Sequence, residues 1–186
     1  MDIAIASPEA AARRVKPYQY PLAVLMAAAG GVLGIIGALF QESLAFTPLT
    51  FLIAAPIIEE IAKPAGVYLA AWRWKAILDR RLFIAGIAAI GGIVFGLIES
   101  WFYVTFYAPD LGRSFFIYRF TVNVLLHAAF SFVFGLGITH GLFNWAAGLG
   151  PLPKASRNAF AGAMTLHALY NGAAVLLVSA GVINFD

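Results

Sequence analysis

The 186-residue chain contains no cysteine, which excludes disulfide bridges, thiolate nucleophiles and cysteine-ligated metals. Any metal it binds must take histidine and carboxylate ligands. Charge is scarce as well: 11% of residues are Asp, Glu, Lys or Arg against 62% hydrophobic, a balance far from that of soluble domains. A mean hydropathy of +0.87 and long charge-poor runs place the chain among polytopic membrane proteins. The formal net charge of +3 is no nucleic-acid signature, because the positive residues gather at the ends of apolar stretches and report topology instead. No nucleic-acid partner is expected. No linker, low-complexity tract or repeat divides the chain, so it reads as one integral membrane domain over residues 20–180.

Five apolar stretches are present, at about residues 20–40, 47–72, 82–107, 115–146 and 158–180. Each has at least the ~20 residues a helix needs to cross the hydrocarbon core. Helix is the expected conformation, because lipid offers no partner to a free backbone N–H or C=O. The fold class is therefore an all-α polytopic transmembrane bundle of about five spans, in a multi-pass protein of the cell membrane. Arg13, Arg14 and Lys16 precede the first span, Arg73, Lys75, Arg80 and Arg81 separate the second from the third, and Lys154 and Arg157 precede the fifth. The alternate loops hold little positive charge, so residues 1–19 read as a cytoplasmic segment and residues 181–186 as an external tail. The first span is too long and starts too late for a cleaved signal peptide. Gly30/Gly34 and Gly92/Gly96 are small residues four apart, a spacing that lets helices approach closely.

Against this apolar background, Glu59-Glu60, Glu99, His127 and His167 each lie within a hydrophobic stretch. An ionisable side chain at bilayer depth costs about 2.5–3.5 kcal/mol on insertion scales. Glu59, Glu60, Lys63 and Glu99 together represent on the order of 10 kcal/mol, which implies a polar site inside the membrane. Lys63 follows Glu59 by four residues and Glu60 by three, so on a helix it reaches either carboxylate and leaves the other for different work. Pro64 removes the backbone bond to the carbonyl of Glu60. Arg119, Asn123, His127 and Ser131 fall at four-residue steps and form a polar stripe. His167 and Asn171 lie one turn apart. They can donate two hydrogen bonds to an oxyanion, hold a metal through His167, or join helices. At ~1.5 Å per residue these groups share one depth, with Glu99 ~7 Å outward. His140 falls at the cytoplasmic end and reads as an interface residue.

Glu59-Glu60-x-x-Lys63, Phe95-x-x-x-Glu99, His127 and His167-x-x-x-Asn171, in that order on successive spans, resemble the PrsW family of intramembrane proteases. That family sits in a wider group with the CAAX prenyl proteases, whose usual Glu-Glu-x-x-x-Arg and Phe-x-x-x-His are replaced here by Lys63 and Glu99. The likeness covers residues 55–175. It implies an endopeptidase acting on a membrane-associated protein or peptide within the lipid bilayer. One glutamate of the pair activates water, with a lean to Glu59. His127 and Glu99 orient that water, and His167 and Asn171 stabilise the oxyanion; Lys63, Arg119 and Asn123 support them. His127, His167 and Glu60 match the ligand set of some zinc sites, although no His-Glu-x-x-His motif supplies them from one helix. Two other classes stay open. Intramembrane Glu, His and Lys also build proton relays in small transporters, and the same cavity can serve a non-catalytic scaffold.

Overall fold

The structure is a computed structural model that describes residues 14–44, 47 and 49–185. Arg13 and the rest of residues 1–13, the side chains of Gln41-Glu42-Ser43, and Asp186 lie outside the described residues. The described chain is all helical, with no strand among the described residues. The helices are α1 (Gln19–Leu44), α2 (Ala55–Ala62), α3 (Ala65–Arg73), α4 (Arg81–Phe102), α5 (Arg113–Tyr118), α6 (Val124–Gly135), α7 (His140–Ala146) and α8 (Lys154–Ser179). Wide π-helical turns precede α2 (Thr50–Ala54), follow α4 (Tyr103–Tyr107) and join α5 to α6 (Arg119–Asn123).

Among the described residues, four continuous helical segments are long and apolar enough to cross a membrane: Gln19–Phe40, Arg81–Tyr107, Arg113–Gly135 and Lys154–Ser179. The second expected crossing, at about residues 47–72, is instead broken between α2 and α3. Pro64 sits at the break with φ −84° and ψ 17°, where it has no N–H to continue the ladder. The apolar stretch 115–146 also divides. Helix ends at Gly135, and Thr139 restarts it in extended conformation, its Oγ1 accepting from Leu142 N at 3.3 Å.

The helices close into a ring. α4 packs between α1 and α6, α6 against α8, α8 against α2, and α2 and α3 back against α1. Glycines permit the tightest approaches. A Cβ on Gly92 would lie 2.5 Å from the His127 carbonyl, and one on Gly66 of α3 would overlap the Met26 backbone of α1. The ring buries a cluster of polar side chains beside an apolar core, and its outer face is apolar. Leu25, Leu33, Leu125, Leu169 and Leu176 are all more than half exposed, whereas Glu60, Lys63, Asn123, His127 and His167 are buried. With water this arrangement would be unfavourable; with lipid around the ring it is the expected one. At one end, Arg14, Lys16, Arg73, Lys75, Asp79 and His140 line a basic pocket, so the N-terminal segment, the connection after α3 and the start of α7 share that end.

Candidate active site

Glu59 and Glu60 project from α2, and Lys63 caps its C-terminal end one helical turn further on. Lys63 Nζ lies 2.7 Å from Glu60 Oε1 and 3.3 Å from Glu59 Oε2, which makes one cation common to two acids. It also lies 2.7 Å from His127 Nδ1 on α6 and 4.4 Å from the centre of the Phe95 ring. An ammonium has three donors and no acceptor, so the His127 Nδ1 lone pair receives this bond. The other nitrogen, Nε2, then carries the proton and donates to Glu99 Oε2 at 2.9 Å.

Glu99 Oε2 is a hub. It accepts from His127, from Arg119 Nη2 at 2.8 Å and from Asn123 Nδ2 at 3.0 Å. Four-residue steps drift ~40° per step on a regular helix of 3.6 residues per turn. The wider turn at Arg119–Asn123 absorbs part of that drift and keeps both residues on the face that carries His127. Arg119 stacks on Tyr103, 3.9 Å from the ring centre, in the wide turn that extends α4. Ser131, the fourth member of the stripe, is buried against Gly92 with no hydrogen-bond partner and stays out of the network.

His167 on α8 closes the ring. Its Nδ1 lies 2.9 Å from Glu60 Oε1, so Nδ1–H donates to the carboxylate and Nε2 keeps its lone pair, 3.8 Å from Glu59 Oε2. Phe130 stacks against the His167 ring at 5.3 Å and fixes its plane. One turn on, Asn171 Nδ2 donates to the Phe51 carbonyl at 3.1 Å. The local sequence makes that carbonyl reachable: the Ala55 N–H bonds to Thr50 in the wide turn, and Pro56 has no N–H.

A cavity of about 320 Å³ opens beside these groups. Its polar wall includes Glu59, Glu99, Arg119, Asn123, His127 and Asn171; Glu60 and His167 lie behind that wall. Its apolar wall includes Phe51, Phe115, Val175, Val178, Ile183 and Phe185, toward the C-terminal end of α8 and away from the basic pocket. Glu59 Oε2 and Glu60 Oε2 are both buried without a hydrogen-bond partner, and the Lys63 ion pair at 3.3 Å is the contact of Glu59 Oε2.

All nine residues singled out in the sequence as catalytic or supporting therefore surround one region: Glu59, Glu60, Lys63, Glu99, Arg119, Asn123, His127, His167 and Asn171. Three others escaped that reading. Ser100 Oγ donates to the Arg119 carbonyl at 2.7 Å, and Tyr118 bonds Tyr170 at 2.6 Å, whose hydroxyl donates to Asn123 Oδ1 at 3.1 Å. Tyr170 lies three residues after His167, a spacing that places it near the same face. His140 is exposed at the basic end, 2.9 Å from Asp79, away from the site.

Among the described residues, one group has the spacing to hold a metal: ligand atoms of Glu59, His127 and His167 lie within 4.8 Å of one another. The sequence reading named Glu60 as the carboxylate ligand. The structure instead places Glu59 at ligand spacing from the two imidazoles, while Glu60 Oε1 accepts from Lys63 and His167. The donor types and spacing fit a catalytic metal, and Glu59 Oε2 is buried with no hydrogen bond to give up. The His127 lone pair, however, faces Lys63.

Residues 19–185 match the family model described as PrsW family intramembrane metalloprotease. No curated protein and no solved structure matches the chain.

Proposed function

Because the chain belongs to the PrsW family of intramembrane metalloproteases, we propose that it cleaves a membrane-associated protein or peptide in the cavity beside α8, with Glu59 as the base. One observation carries the choice between the two acids. Glu59 lines the cavity, whereas Glu60 is fully buried behind it, its Oε1 engaged by both Lys63 and His167.

Glu59 Oε2 and His167 Nε2 are both acceptors, 3.8 Å apart, and one water can donate a proton to each. Its oxygen lone pairs then face the scissile carbonyl. Attack forms the C–O bond, the water proton passes to Glu59, and the carbonyl π pair moves onto oxygen. Asn171 uses one amide hydrogen on the Phe51 carbonyl and has a second to offer the oxyanion. Collapse of the tetrahedral species breaks the C–N bond, and the leaving amine takes the proton from Glu59. Glu60 holds the His167 tautomer; Glu99, with Arg119 and Asn123 behind it, holds that of His127. A metal ion, when bound, would be held by Glu59, His127 and His167 and would supply Lewis-acid polarisation and a more acidic water. The apolar wall of the cavity suits an extended, largely apolar substrate segment. The basic pocket at the other end supports substrate entry from the external side.

Glu59→Gln tests the assignment, since glutamine keeps the shape but cannot take the proton. With fluorogenic single-span peptides in proteoliposomes, cleavage should fall at least ~100-fold while the protein stays folded. Cleavage at the original rate would remove Glu59 from the reaction.

A further inference from the structure

We propose that the Lys63 ammonium and a divalent metal ion are alternative occupants of the same seat, so that the native lysine keeps the metal affinity of this site low. The inference rests on the active-site assignment above, but its readout is metal binding, not turnover.

The first argument is which lone pairs are engaged. Of the three groups with metal-ligand spacing, Lys63 Nζ contacts two, His127 Nδ1 at 2.7 Å and Glu59 Oε2 at 3.3 Å. The contact to His127 uses the only lone pair the imidazole has, because Nε2 carries the proton directed at Glu99. A metal cannot take Nδ1 while the ammonium remains there. Nor can turning the ring free Nε2 without breaking its bond to the Glu99 hub. With His127 engaged, Glu59 and His167 remain, one short of the three protein ligands usual in catalytic zinc sites.

Charge gives the second argument. Glu99 is balanced by Arg119 at 2.8 Å, which leaves Glu59 and Glu60 facing Lys63 alone. A divalent ion beside the ammonium would set three positive charges against two negative ones in a site shielded from water. With a neutral side chain at position 63 the same ion would meet two carboxylates and balance.

Lys63 is also held in place. Its side chain is fully buried under the Phe95 ring. A Cβ on Gly34 would lie 3.2 Å from the Lys63 Cα, and one on Gly91 would lie 3.0 Å from its carbonyl. Those glycines bring α1 and α4 against the lysine backbone, and the full burial of the side chain leaves the ammonium no open space to swing into.

The experiment uses the full-length protein in detergent micelles, stripped with chelator and titrated with Zn²⁺ against a fluorescent zinc indicator. Co²⁺ absorption reports the geometry. Lys63→Met should bind one equivalent of Zn²⁺ at least tenfold more tightly than the native protein and give the visible bands of tetrahedral Co²⁺. Lys63→Arg, which keeps the charge, should show no gain. The gain should vanish in Lys63→Met combined with His127→Gln. Equal affinity in native protein and Lys63→Met overturns the proposal. Should Lys63→Met fail to fold by thermal unfolding, Lys63→Gln takes its place. If neither folds, the native protein decides: one equivalent bound with submicromolar affinity and lost in His127→Gln refutes competition, and its absence upholds it. A flat zinc response with Glu59→Gln still inactive would end the shared seat and leave the protease assignment intact. A tenfold gain with Glu59→Gln fully active would do the reverse.

Discussion

Glu59 and Glu60 are neighbours in sequence, yet ~100° of helix rotation gives them different surroundings. Glu60 accepts from Lys63 at 2.7 Å and His167 at 2.9 Å with no exposure, and it joins α2 to α8. Glu59 has the longer contact to Lys63 and faces the cavity. The two glutamine variants should therefore separate. Glu60→Gln leaves Lys63 with a weak partner and His167 without its anchor. Breaking a buried ion pair from one side costs about 3–5 kcal/mol, so its thermal midpoint in detergent should fall well below that of Glu59→Gln, which should stay near the native value. Equal midpoints would mean that Glu60 does not carry the structural load assigned to it. The identity of these residues was legible because each acid and histidine stands out against apolar surroundings. Which nitrogen of each imidazole carries the proton was not legible. That follows from Lys63 reaching across to α6, a contact between residues 64 apart.

At the scale of elements, α4 and α6 carry the network on facing sides, and the glycines of α4 set their separation. A Cβ at Gly92 would sit 2.5 Å from the His127 carbonyl and 2.6 Å from Ser131 Oγ. Gly92→Ala should push α6 away and pull His127 off both Lys63 and Glu99. Overpacking of this kind costs about 1–3 kcal/mol, and cleavage should drop with the thermal midpoint. Gly86→Ala on the same helix is the control. Nothing lies within 4 Å of its Cβ, and alanine is favoured over glycine in a helix by ~1 kcal/mol. If both variants behave alike, α4 and α6 have slack at their contact that the packing denies. The Gly92/Gly96 spacing was readable as a close contact. The division of the 115–146 stretch was less so, because its apolar composition continues across the break. The signal lay in chemistry: Gly135 and Gly137 beside Thr139, a hydroxyl residue suited to start α7. The wide turns left no pattern that hydropathy could detect, since they alter backbone pairing without altering polarity.

Across the whole molecule, the ring encloses three carboxylates, one ammonium and one guanidinium while its outer face is apolar, which fixes lipid as the surrounding solvent. Two features at opposite ends then give the ring a direction. Arg14, Lys16, Arg73 and Lys75 gather at one end, whereas the cavity is lined by Val178, Ser179, Ile183 and Phe185 at the other. By the positive-inside rule we propose that the first end faces the cytoplasm. Because the chain has no native cysteine, single introduced cysteines report sidedness without background. Lys75 and Val182 are both exposed, Val182 at 68%, and neither belongs to the hydrogen-bond network of the site. In intact cells, a membrane-impermeant maleimide should modify Val182→Cys and spare Lys75→Cys; in inverted vesicles the pattern should reverse. Labelling of Lys75→Cys from outside the cell would invert the ring, move the cavity mouth to the cytoplasmic face and assign the protease substrates presented from the cell interior.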